Sequence, residues 1–84
     1  MFSQRFQRPV VITAHAASRM RDRDVTDELL LRILDEGGVR YADATHCWAW
    51  LDVPERADNL LCAAVVLENA VIVKTVMHHW ELLP

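Results

Sequence analysis

The chain has 84 residues, enough for one domain and too few for two, since a typical domain takes about 100. Its 52% hydrophobic and 25% charged content is ordinary globular composition and excludes disordered and collagen-like chains. The formal net charge of −3 argues against a strong polyanion binder, although seven of the nine basic residues fall in the first 40 positions.

Residues 1–8 are polar and carry Arg5 and Arg8; they are predicted to form a mobile arm. They lack the apolar stretch of a signal peptide, and no apolar run approaches the roughly 20 residues of a membrane helix. A cytoplasmic, non-membrane protein is therefore expected, with Cys47 and Cys62 as reduced, buried thiols. Pro9 to Thr13 reads as a short edge strand, and Thr13 as the N-cap of a helix from Ala14 to about Arg23. That helix places His15, Ser18, Arg19 and Asp22 on one face, with Ala16 and Met20 on a less polar stripe beside it. Thr26 caps a second helix, whose first turn holds Asp27 and Glu28 where the helix dipole favours them. Leu29, Leu30, Ile33 and Leu34 form its apolar stripe, and Gly37-Gly38 ends it as a C-terminal glycine cap would.

After Gly38 the hydrophobic period changes from 3.6 to two. Val39 to Ala42 is predicted as a short strand. From Thr45 to Val53, Cys47, Ala49, Leu51 and Val53 alternate with His46, Trp48, Trp50 and Asp52. Leu60 to Leu67 and Ala70 to Met77 read as two strands joined by a tight turn at Glu68-Asn69. That turn pairs Val66 with Val71 and Ala64 with Val73 on one face, and Val65 with Ile72 and Ala63 with Lys74 on the other. The order of elements is α+β: two N-terminal helices on a three- to four-stranded antiparallel sheet. Both faces of the last hairpin are mostly apolar, and two helices cover only one. The other face is expected to meet a second copy or a protein partner, with Trp48, Trp50 and Val65 as interface residues. Alternatively, the N-terminal arm and Trp48, Trp50 and Trp80 close it from within the chain.

The run His15-Ala16-Ala17-Ser18-Arg19-Met20-Arg21-Asp22-Arg23, followed by Val25-Thr26, a Leu-rich helix and Gly37, resembles an uncharacterised bacterial domain family. That family opens with His-Ala-x-x-Arg-Met-x-x-Arg and is grouped with the RelE-, ParE- and BrnT-like toxins. Val71 to Val76 resembles the family's closing strand, so the likeness spans about residues 13–77. The resemblance implies a RelE-like fold and a toxin-type ribonuclease held by an antitoxin protein. The chain departs from the pattern at Asp24, where the family often has Gly, and in its acidic balance, where RelE-like toxins are usually basic.

A metal-free ribonuclease needs a base for the 2′-hydroxyl and a cation for the phosphate. His15 suits the first task and Arg19, one helical turn on, the second. Alternatively, His15 is a capping or interface residue and Arg19 pairs with Asp22 or Asp43. Arg23 is a candidate second phosphate contact. Lys74 is the only lysine and sits within an apolar strand, where it needs Asp52, Glu68 or an external anion, or else snorkels to the sheet edge. His78 is a further catalytic candidate, on the same side as Lys74 by the expected register. His46, Trp48 and Trp50 share one strand face, an arrangement that stacks RNA bases or seals an interface. No Cys-x-x-Cys or His-x-x-x-His pair points to a metal, and no Gly-rich loop to a nucleotide; no cofactor is expected. Two functions follow: a toxin-type, metal-independent endoribonuclease, or a non-catalytic homodimeric binding and assembly module.

Overall fold

A computed structural model describes residues 1–84. Strands β1 (Phe2–Ser3) and β2 (Arg8–Ile12) precede helices α1 (Ala14–Asp22) and α2 (Asp27–Glu36), and β3 (Gly38–Tyr41), β4 (His46–Leu51), β5 (Leu61–Leu67) and β6 (Val71–Met77) follow. All six strands join one sheet in the order β1-β2-β6-β5-β4-β3. The β2–β6 pair is parallel and every other pair is antiparallel.

The α+β class holds, but the RelE-like arrangement expected from the sequence does not. The sheet has six strands and is mixed, where three or four antiparallel strands were expected. The helices are not N-terminal: they lie in the crossover that a parallel β2–β6 pair requires. Strand β2 is not an edge either, since β1 pairs with its outer side. The first eight residues are no free arm. Ser3 is fully buried, and its hydroxyl donates to the Asp35 carboxylate of α2 at 2.6 Å. The other Asp35 oxygen accepts from the Gln4 backbone N–H at 3.1 Å, and Arg5 reaches the Leu34 carbonyl at 3.2 Å.

Both helices begin where their caps predict. The Thr13 hydroxyl accepts from the Ala16 N–H, and the Thr26 hydroxyl from the Leu29 N–H, each at 3.1 Å. Asp24, between them, adopts φ 51°, a left-handed turn that Asp tolerates better than most residues. From α1, Ala16 and Met20 face inward; from α2, Leu30, Ile33 and Leu34 are fully buried. They pack on Cys47, Ala49, Leu61, Ala63, Val65, Val71, Val73 and Val76 of the sheet, which form one core cluster with them. Gly37 does not act through a left-handed cap: its φ is −79°. A Cβ there would fall 1.8 Å from the Trp50 carbonyl oxygen, and one on Gly38 would fall 2.3 Å from the Trp50 ring. Both glycines are needed for close approach to β4.

The β5–β6 hairpin is offset by one residue from the sequence expectation. Its loop is three residues, with the Glu68 N–H bonded to the Ala70 carbonyl at 3.0 Å, and Leu67 pairs with Val71. A one-residue shift exchanges the two faces. Val65 therefore points into the helix-covered core and is 2% exposed, so it is not an interface residue. A β-bulge in β6 opposite Ala64 and Val65 leaves Lys74 out of the pairing. Beyond the bulge, Val76 instead of Thr75 turns into the core.

Candidate binding face

The sheet face away from the helices is built from cross-strand rows. Trp50, Cys62 and Met77 form one row, Trp48, Ala64 and Thr75 the next, and His46, Val66, Ile72 and Val11 the third. The residues after β6 fold back over the first row. His79 takes φ 51°, its N–H reaches the Asp58 carbonyl at 2.7 Å, and the Trp80 N–H reaches the Leu60 carbonyl at 3.0 Å. The Trp80 ring then stacks on Trp50, with centroids 5.4 Å apart. Arg40 of β3 holds the end of the segment by donating to the Leu83 carbonyl. Cys62 lies outside the helix-side core yet has no exposed surface, between Trp50 and Met77 in the row this segment folds over. Burial, with Cys47 nearby, pushes the Cys62 thiol up to about 12.

The rest of the face stays open. Beside Trp48 lies a cavity of about 300 Å³ lined by Ala42, His46, Trp48, Ala64, Val66 and Lys74. Lys74 makes no side-chain hydrogen bond and no ion pair; neither Asp52 nor Glu68 meets it. His46 is held at the rim by Asp43. One Asp43 oxygen accepts from the Thr45 N–H at 2.9 Å and the His46 N–H at 2.8 Å, and lies 3.0 Å from His46 Nδ1. The Thr45 and His46 N–H groups hold the Asp43 carboxyl well below the usual carboxylate range.

The proposed catalytic residues do not converge. His15 is exposed on the first turn of α1, and no hydrogen bond reaches its ring. Arg19 lies on the same side and pairs with Asp22 at 3.3 Å. The Arg23 Nε and Nη1 atoms are buried without a hydrogen-bond partner, so they are withdrawn from solvent. His78 Nδ1 lies 3.2 Å from Asp58, whose partner Arg56 bonds the Arg23 and Asp24 carbonyls at the far end of α1. The eight-residue rise from His15 to Arg23 is about 12 Å. Lys74 is on the other face of the sheet. Of the interface residues, Trp48 remains on the open surface and Trp50 lies beneath Trp80.

Sequence reasoning missed the Arg56–Asp58–Asn59 loop. Arg56 and Asp58 meet through two contacts of 2.9 Å, and Asn59 bonds both the N–H and the carbonyl of Val53. The signal was present as charged and amide residues clustered between two strands, but that pattern also describes a solvated loop. No group of three or more His, Cys, Asp or Glu side chains is placed to hold a metal ion. No helix is long and apolar enough to cross a membrane. A scan against family models and searches of curated proteins and of solved structures find no match to this chain.

Proposed function

We propose that this chain is a non-catalytic binding module whose working surface is the open half of the sheet. One observation carries this reading: an apolar hollow beside Trp48 holds an unpaired ammonium, on a rigid sheet, while the candidate catalytic groups lie apart. Trp48 supplies a large surface at small entropic cost, as binding sites commonly require. From sequence, this face needs a cover, from a second copy, a protein partner or the chain itself. The chain's own C-terminal segment supplies part of that cover.

One observation favours the toxin-type ribonuclease as a second reading. His15 and Arg19 are both spent outside the core, on the same side of α1, and the His15 ring is free. Induced expression in a bacterial host, following growth and bulk RNA together, separates the two. The binding module leaves growth and RNA intact. Growth arrest with RNA decay, abolished by His15→Ala in a folded and equally expressed variant, overturns it in favour of the nuclease.

A further inference from the structure

We infer that the hollow between His46, Trp48 and Lys74 binds a small molecule with an apolar, ring-sized body and one anionic group, a carboxylate or sulfonate. This rests on the binding-module reading and names the occupant of its surface.

The volume, about 300 Å³, stands at the lower end of small-molecule sites. Of the residues that line it from this face, Ala42, Trp48, Ala64 and Val66 are apolar, which calls for an apolar body. The space exists because residues 42 and 64 are alanines: Ala64 sits in the same row as Trp48, and a longer side chain there fills the hollow.

The charge requirement comes from Lys74. Alternation after the buried Val73 turns it to this face, and the bulge keeps Thr75 there beside it. Bulges commonly re-aim side chains next to working sites. Lys74 is exposed and its ammonium has no carboxylate partner; one oxygen of Asp43, the acid touching His46, accepts from two N–H groups and lies against the His46 ring. A bound anion completes this arrangement, with Lys74 against its charge and Trp48 against its body. A second copy completes it less well. A two-fold axis through the hollow sets each Lys74 near its own symmetry mate, two like charges removed from water.

The test uses the full chain and two dyes that share an apolar ring system: anilinonaphthalene sulfonate, which carries the anion, and phenylnaphthylamine, which lacks it. Fluorescence titrations are run with light scattering on the same samples and circular dichroism on every variant. The expected result is saturable binding of the sulfonate dye, one per monomer, about tenfold or more tighter than the neutral dye. Lys74→Met then loses about tenfold for the sulfonate and nothing for the neutral dye, Lys74→Arg keeps the preference, and Ala64→Leu removes both. Equal affinity for the two dyes, or indifference to Lys74→Met, overturns the anion assignment and leaves an apolar binding face. A folded monomer that binds neither dye overturns this inference and the binding surface together. A dimer that binds neither dye, and that Trp48→Glu splits into a folded monomer, overturns the small ligand and keeps the binding module, with a second copy as its partner.

Discussion

Gly38 has no side chain because the Trp50 indole occupies the space where one would lie. Adding even a methyl group forces that ring to move, and the ring is fixed from the other side by Trp80. Gly38→Ala is therefore an overpacking substitution, unlike a routine glycine replacement in an exposed strand. The expected cost is about 2 kcal/mol, a fall in Tm of roughly 10 °C for a chain of this size. Thermal unfolding followed by circular dichroism measures it; a variant as stable as the parent removes the close-approach account. From sequence, the Gly37-Gly38 pair correctly marked the end of α2, but for a different reason. A C-terminal glycine usually supplies positive φ. Here Gly37 is extended and Gly38 opens β3, and what they supply is room.

The two helices were legible because every feature that defines them is local: a threonine cap, an apolar stripe and charges at the first turn. The sheet was less legible because its pairings are not local. Val10 meets Val71, and Ser3 meets Asp35, across stretches that no periodicity reports. The last hairpin shows how little separates a right reading from a reversed one. Glu68-Asn69 suggested a two-residue turn, and the third loop residue, Ala70, moves Val65 from the open face to the core. The candidate site suffered the same way: His15 and Arg19 share one side of α1, but the chemistry that groups Arg23, His78 and Lys74 with them reports no shared location. The C-terminal segment, whose Trp80 is among the residues the sequence offers to close this face from within the chain, stacks on Trp50. It should protect Cys62, the one cysteine on its face. In a Cys47→Ala background, Trp80→Ala should raise the alkylation rate of Cys62 by about tenfold, because the stacked ring no longer opposes local opening. An unchanged rate, with the fold intact by circular dichroism, shows that β4 and β6 alone bury the thiol.

Three distant segments of the molecule meet at Asp58. Arg56 holds the α1–α2 turn through the Arg23 and Asp24 carbonyls, and Asp58 holds Arg56 through paired contacts of 2.9 Å. The Asp58 backbone and side chain also receive the His79 N–H and the His78 ring, so the start of the C-terminal cover depends on the same loop. Arg56 above all, with His78 adding to it, keeps the Asp58 carboxyl well below the usual carboxylate range. A carboxyl so lowered stabilises the fold while ionised. Its contribution is complete above the unfolded-state value near 3.9 and is lost as pH falls from there through the lower folded value. Asp58→Asn should therefore cost about 2 kcal/mol at neutral pH, a figure suited to hydrogen bonds with a charged partner. The gap in Tm between parent and variant should close progressively below about pH 4, where the parent's own carboxylate is titrated. Comparing the two proteins at each pH cancels the acid response of the other eleven acidic residues. A gap that persists unchanged to pH 2 means that Asp58 acts by shape and not by charge. The arginine would then hold the turn without it, and the cover over Cys62 would be insensitive to acid.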